Sequence, residues 1–317
     1  MMEQVLAEPP SKAAVEPVHR FVKSPSIIAY AEPVRVSVIL PIYNEGMILL
    51  DNVRNLTKTL NRLGLVSEIL LCDDNSNDGT RDAAELASSN RVFHLRFSER
   101  IGKGATIKNA INAARGEIIV ILDADIPVSP QELSGAISLM EEGHQFVIGV
   151  RRARPFTRTR RKFLSIGFNT LMNILFRTGI RDHQCGFKLI QRGVADRLFP
   201  LIGTDYFAFD AELIVKARSQ GIPITTFEID WLEKRNGLDS SLPAFKTALA
   251  MLIDLLVLRT ISVGSRNLVE VRRISNGYFE NPISGKILAS EITLIGSENS
   301  SLLKILRRLK LQMSVQS

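Results

Sequence analysis

From residue 34 onward the chain alternates short apolar runs with longer stretches of helical periodicity. Arg35–Leu40 reads as a first strand and Gly46–Leu63 as a first helix. Ser67–Cys72, Arg91–Phe97, Glu117–Asp125 and Gln145–Val150 read as further strands, with helices at Gly104–Ala114 and Pro130–Glu141 between them. Asp78 and Thr80 are placed to cap a helix after the second strand, and Gly116 to stop the one before the fourth. Such alternation predicts an α/β domain with a mainly parallel sheet and helices on both faces. Beyond residue 151 the pattern predicts an apolar helix over Phe163–Phe176, a strand over Gly186–Ile190, a helix over Asp210–Ser219 and a strand over Ile224–Trp231.

The two ends read differently. Residues 1–33 hold five prolines (Pro9, Pro10, Pro17, Pro25 and Pro33) among scattered charges, the composition of a mobile arm. Residues 34–242 hold the alternating pattern and are expected to be the main domain. Within residues 243–262, Phe245–Leu258 is strongly apolar but includes Lys246 and Asp254. It is shorter than the roughly 20 apolar residues a membrane span needs, so amphipathic helices are expected there, at a membrane interface or packed on the core. Residues 263–317 give no clear fold and end in a basic amphipathic stretch, Leu302–Leu311.

The fourth strand is the most informative stretch. Ile118–Leu122 is continuously apolar, as suits a strand buried on both faces, and it runs into two carboxylates, Asp123 and Asp125. If the strand continues to Asp125, both side chains face the same way. In open α/β sheets ligands bind at the carboxyl ends of strands. Two hard oxygen donors there suit Mg²⁺ or Mn²⁺ shared with a substrate's phosphates.

Net charge of +7 favours anionic partners: nucleic acid, a membrane surface or a phosphorylated substrate. Seven of the twelve residues from Arg151 to Lys162 are basic and none is acidic, and guanidinium groups grip phosphate in forked pairs. Two cysteines, Cys72 and Cys185, cannot form a disulfide framework, and the four histidines are scattered without zinc spacing or a nucleophile partner.

Three further motifs sit at strand ends. LPIYNEG (Leu40–Gly46) offers Tyr43 for stacking on a base or ribose and Glu45 for hydroxyl groups. DDNSNDGT (Asp73–Thr80) offers a carboxylate to a nucleobase N–H. Gly102-Lys103-Gly104 is neither a P-loop, since Gly follows the lysine, nor a dinucleotide fingerprint, since Ile107 takes the third glycine position. It leaves one lysine near a helix N-terminus, a place suited to phosphate.

In order and approximate spacing, LPIYNE, DDNSNDGT, GKG, DAD and the basic run resemble the family 2 glycosyltransferases of the GT-A (Rossmann-like) fold. GIRDHQCGFKL (Gly179–Leu189), FAFDAEL (Phe207–Leu213) and EIDWLEK (Glu228–Lys234) are similar to the dolichyl-phosphate transferases, the glucosyl branch more than the mannosyl one. The resemblance covers roughly residues 34–259. It implies that Pro41, Tyr43, Glu45 and Asp74, with Lys103, line the nucleotide pocket, and that Asp123 and Asp125 hold metal and diphosphate. It implies catalytic roles for Asp125, Arg151 and Arg161, and acceptor-phosphate contacts from Arg161, Lys162, Arg235 and Ser240. One departure stands out: the mannose synthases carry a glutamine metal ligand where this chain has Pro127.

The implied reaction moves glucose or mannose, from UDP-glucose or GDP-mannose, to a polyprenyl phosphate with inversion. A phosphate monoester has a second pKa of about 6, so it attacks without a strong base. That suits a site rich in Asp and Arg without a conspicuous histidine. A peripheral protein on the cytoplasmic face of a membrane is expected, bound directly or through a membrane-protein partner, with no nucleic acid involved. Two alternatives remain: a family 2 enzyme with a sugar hydroxyl acceptor, which needs an Asp base, and a basic non-catalytic adaptor for nucleic acid or anionic lipid.

Overall fold

A computed structural model describes residues 32–152, 159–204, 208–230, 278–281 and 285–288. Seven strands form one sheet: β1 (Val36–Ile42), β2 (Ser67–Asp73), β3 (Val92–Arg96), β4 (Ile118–Leu122), β5 (Phe146–Arg151), β6 (Phe187–Gln191) and β7 (Thr225–Ile229). Their spatial order is β3-β2-β1-β4-β6-β5-β7. Six strands run parallel, and β6 enters antiparallel between β4 and β5, pairing Val120 and Val147 with its Leu189. The chain winds outward from β1 to β3 and returns beside β1 as β4, with Val36–Ile39 in register with Ile118–Ile121. The carboxyl ends of β1 and β4 therefore flank the switch point where ligands enter such sheets.

Helices cover both faces, as the alternation predicts. On one side α1 (Leu49–Arg62), α2 (Thr80–Ala87) and α4 (Pro130–Glu141) pack Leu56, Ala84 and Ile137 onto Val38, Leu71 and Val120. On the other, α3 (Lys103–Ala113), α6 (Arg192–Leu198) and α7 (Phe209–Ser219) pack Ile107, Leu198 and Leu213 onto Ile39, Ile121 and Ile148. Neighbouring residues along β4 thus serve opposite layers, which is why Ile118–Leu122 carries no polar position. The long helix α5 (Thr159–Phe176) lays Met172 against Ala211 and Val215 of α7. Among the described residues no helix is long and apolar enough to cross a membrane.

The amino ends of the central strands are locked by one buried carboxylate. Glu68 accepts from Ser37 Oγ at 2.6 Å, from the Arg115 backbone N–H at 2.7 Å and from Arg115 Nη2 at 2.6 Å. Removing one partner of such a buried pair typically costs about 3–5 kcal/mol. Gly116 donates to Ser37 Oγ at 2.7 Å, and a Cβ there would overlap the Ser37 backbone. The glycine expected to stop a helix is thus a close-approach residue, and the helix ends earlier, at Ala113. This lock sets where β1, β2 and β4 begin, and so where their carboxyl ends stop.

Several boundaries differ from expectation. Strand β4 ends at Leu122, three residues before Asp125. Helix α6 follows β6 directly, and the apolar periodicity over its seven residues is too short to announce it. Within residues 263–317, Tyr278–Asn281 and Gly285–Leu288 pair as antiparallel strands, β8 and β9. Residues 1–31, the Phe245–Leu258 and Leu302–Leu311 stretches, Arg235 and Ser240 lie outside the described residues.

Candidate active site

Four loops meet at the carboxyl ends of β1 to β4. Residues 43–48 and 74–79, after β1 and β2, are tied together by backbone donors. Asn44 N–H donates to Ser76 Oγ at 3.0 Å, Glu45 N–H to Thr80 Oγ1 at 2.6 Å and Gly46 N–H to Asp78 Oδ2 at 3.2 Å. The backbones approach so closely that a Cβ on Gly46 would lie 2.7 Å from the Gly79 carbonyl carbon. Asp78 also accepts from Thr80 N–H at 2.9 Å, but the N-cap of α2 is Gly79, without a side-chain bond, so Asp78 stands one residue before the expected cap and the Thr80 hydroxyl serves the neighbouring loop.

Adjacent Asp73 and Asp74 do different things. Buried Asp73 is bonded by Arg96 Nη1 at 2.5 Å and Ser76 N–H at 2.8 Å, with His94 Nε2 at 3.4 Å. Burial alone would push its carboxyl up, but the bonds from His94 and Ser76 and the charge of Arg96 outweigh burial and hold it at about 2. Asp74 reaches the other way and accepts from Ile101 N–H at 2.6 Å and Gly102 N–H at 3.0 Å. Its burial wins, and its pKa is raised. Arg100 stands between Asp74, 3.8 Å from Oδ2, and the ring of Tyr43, 4.0 Å from the centroid. Tyr43 and Asp74 are therefore brought together. Asp74 fixes the loop that starts α3.

Past Leu122 the strand gives way to a turn closed by Ile126 N–H on the Asp123 carbonyl at 2.9 Å. Strand alternation thus does not set the directions of Asp123 and Asp125, and that expectation is corrected. Ile126 carries φ of 44°, a costly conformation for a β-branched residue, right after Asp125. Asn52 of α1 braces the turn by donating to the Ala124 carbonyl at 3.1 Å. Asp125 is buried and Asp123 is partly exposed.

Lys103, the first residue of α3, aims its ammonium at this turn. It donates to Asp123 Oδ1 at 2.9 Å and to Asp210 Oδ2 at 3.5 Å. Asp210 Oδ1 accepts from Lys188 Nζ at 2.6 Å, and Lys188, in the middle of β6, also donates to the Cys185 carbonyl at 2.5 Å. Burial disfavours charge on both Lys103 and Asp210, yet each ionises more readily than usual because the opposite charges around it prevail. On the far side Arg151, at the end of β5, grips Asp182 through Nε at 2.6 Å and Nη2 at 3.0 Å. Burial works against its charge, but Asp182 outweighs burial and Asp123 adds to the pull, which places Arg151 in the same electrostatic cluster.

Asp210, Lys188, Asp182 and Arg100 are the members that motif reading did not single out. Lys103 was expected to meet phosphate, and here it meets carboxylates. Arg151 heads a run without acids, but its partner comes from the 177–186 loop. Arg161 and Lys162 lie in the first turn of α5, and their side chains fall outside the described residues, as do Arg235 and Ser240. Pro41, half-buried between buried Leu40 and Ile42, lies opposite Cys72 in β1, and Glu45 stands at the head of α1, where its carbonyl accepts from Leu49 N–H at 3.0 Å.

The donor set fits a divalent ion. The Asp123 carboxylate lies against Gly186, where a Cβ would overlap it, so a glycine keeps that space for the carboxylate. A cation already stands on its other oxygen. Pro127 is buried and offers no side-chain oxygen, and among the described residues no three His, Cys, Asp or Glu side chains cluster as a metal cage. Asp123 and Asp125 as donors, completed by substrate phosphates and water, match the way Mg²⁺ is held at phosphate sites.

The model for glycosyl transferase family 2 matches residues 37–199. Dolichyl-phosphate beta-glucosyltransferase of Mus musculus is 31% identical over 265 residues, 76% of this chain and 80% of that protein. Glycosyltransferase AglD of Haloferax volcanii is 29% identical over 214 residues, 65% of this chain; the chain spans only 34% of that protein's length. Glucosyl-3-phosphoglycerate synthase of Mycobacterium tuberculosis, solved with Mn²⁺, uridine diphosphate and glucosyl-3-phosphoglycerate, superposes with a TM-score of 0.56 at 17% identity, over 78% of this chain and 85% of that one. At that identity the likeness is one of fold.

The Asp73 cluster yields a pH prediction. A carboxylate held at about 2 when folded, against about 3.9 when unfolded, stabilises the fold above pH 4 and loses that contribution as pH falls to 2. Asp73→Asn is expected to cost about 2 kcal/mol at pH 7, with the gap closing between pH 4 and pH 2. Urea unfolding of both proteins across that range checks it, and a gap independent of pH would contradict it.

Proposed function

The chain belongs to glycosyl transferase family 2, and we propose that it transfers a hexose, in first place glucose, from a nucleoside diphosphate sugar to a polyprenyl phosphate at a membrane surface. The observation that carries the acceptor class is the 31% identity to a dolichyl-phosphate beta-glucosyltransferase over 80% of that relative's length.

The chemistry of the site supports it. A sugar hydroxyl must lose a proton to attack, which calls for a base. Asp210 is bonded to two lysines, and Asp182 to both arms of Arg151. Buried His183 is pushed down to about 4 by its burial and by Lys188, and its ring nitrogens are engaged by Asn169 and Thr178 at 2.6 Å each. None of these is a strong base. A phosphate acceptor, already dianionic near neutral pH, needs none.

In the proposed reaction an acceptor phosphate oxygen attacks the anomeric carbon opposite the bond to the leaving diphosphate. That bond breaks as the new one forms, and an α-linked donor gives a β-linked product. Tyr43 and Asp74 would frame the base. Arg151, with Arg161, Lys162, Arg235 and Ser240, would meet the phosphates. Asp123 and Asp125 would hold a divalent ion, Mg²⁺ or Mn²⁺, which when bound neutralises the departing diphosphate. The Mn²⁺ in the glucosyl-3-phosphoglycerate synthase supports a divalent ion here. Alignment and fixed charge, rather than proton transfer, would then supply the rate.

The acceptor's chain is insoluble in water, so the site is expected to work as a peripheral protein on the cytoplasmic leaflet. Ile166 and Ile174 of α5 are exposed, 52% and 69%, on one helix face downstream of the basic run.

Incubating the purified chain with Mg²⁺ or Mn²⁺, labelled UDP-glucose or GDP-mannose, and dolichyl phosphate tests the reaction. A labelled, acid-labile lipid is expected from the wild type. It should be reduced at least 10²-fold (about 2.7 kcal/mol or more) in Asp125→Ala, with an unchanged circular dichroism spectrum. Transfer to sugar hydroxyls but not to the lipid would overturn the acceptor. Flotation tests the membrane expectation: the chain should rise with anionic liposomes at low salt, and remaining at the bottom would assign attachment to a partner.

A further inference from the structure

Asp123, Lys103, Asp210 and Lys188 form an unbroken row of alternating charge, with two carboxylates balanced by two ammonium groups. The ends of the row are unequal. Lys188 is fully buried and committed to Asp210 and the Cys185 carbonyl. Lys103 is partly exposed at 22%, and its ammonium already spans two carboxylates, 2.9 Å from one and 3.5 Å from the other. Its backbone is pinned: Gly102, at φ of 92°, donates to both oxygens of Asp74, so only the Lys103 side chain is free to shift.

Taking the metal-dependent donor site proposed above as given, we infer that Lys103 is a placeholder cation. It occupies the Asp123 carboxylate when no divalent ion is present and yields it, turning to Asp210, when the ion arrives with the donor's diphosphate. Lys103 is in this sense a positioning residue, keeping Asp123 in place against Gly186 between turnovers.

Charge balance gives the order of binding. The row is neutral as it stands, and Asp125, the second donor to the ion, adds one carboxylate to the site. A divalent ion alone would add its full charge beside an ammonium that it must also displace. An ion with a dianionic diphosphate adds none. The ion therefore enters as its nucleotide complex, and the free protein holds it weakly. Lys103 released from Asp123 stays within reach of Asp210, so its charge remains paired while the site is occupied.

Mn²⁺ binding to the full, metal-free chain tests this without any turnover, by following the paramagnetic resonance signal of free Mn²⁺. Wild type is expected to bind Mn²⁺ alone weakly and to tighten when UDP or GDP is added. Lys103→Met and Lys103→Gln, two independent neutral variants checked for folding by circular dichroism, are expected to bind Mn²⁺ alone about tenfold more tightly than wild type, the scale of one charge-assisted hydrogen bond. Lys103→Arg keeps a cation and should stay near wild type. If the neutral variants bind Mn²⁺ alone no more tightly while wild type binds it with nucleotide, the placeholder role is overturned and the metal site stands. If no variant binds Mn²⁺ even with nucleotide, the metal site falls and the placeholder with it.

Discussion

Asp210 sits between Lys188 and Lys103, with oxygen-to-nitrogen distances of 2.6 and 3.5 Å. A buried carboxylate in an apolar layer is tolerable only when paired, and removing one partner leaves a charge that costs several kcal/mol. Because the three side chains come from α7, β6 and α3, this pairing fixes three elements with respect to one another. Through Lys103 it extends to Asp123 at the end of β4. From the middle of β6, between β4 and β5, Lys188 reaches Asp210 of α7. In the proposed reaction the same row of charges would supply the cationic side of the diphosphate site, with each of its members paired.

Around this row the sheet does the positioning. The Glu68 lock at the amino ends and the Asp74 contacts at the carboxyl end hold β1, β2 and β4 in fixed register, so the loops they carry meet at the switch point. Strain at Ile126 is located where Asp125 must turn inward. Rigid strands below and a strained turn above are what pre-organised electrostatic catalysis requires, since the charges must already face the site when the diphosphate departs.

Local features of the chain announced the half of the site that is local in sequence. The run Ile118–Leu122 is apolar at every position because both helix layers rest on it, and the carboxylates that follow stand where the strand leaves the core. Tyr43, Asp74 and Lys103 each follow a strand at a motif. The other half joins residues far apart: Lys103 meets Asp210 across 107 positions, and Arg115 meets Glu68 across 47. Periodicity carries no information about such pairings. Lys188 is disguised further, as a charged residue in a strand whose neighbours are all apolar. The acid-free run singled out Arg151, but gave no sign of Asp182, which orients it. The turn after Leu122 was hidden because a strand pattern fits the three residues Asp123–Asp125 equally well.

If the acceptor phosphate attacks as its own dianion and the protein supplies no base, the pH dependence of transfer belongs to the acceptor. Measuring kcat/KM for the lipid acceptor against pH, with a phosphate monoester and with a phosphonate analogue of different second pKa, separates the two cases. The acid limb is expected at about 6 for the phosphate and to move with the acceptor's own pKa in the analogue. A limb that stays at the same pH for both acceptors would belong to a protein group and would contradict a base-free site.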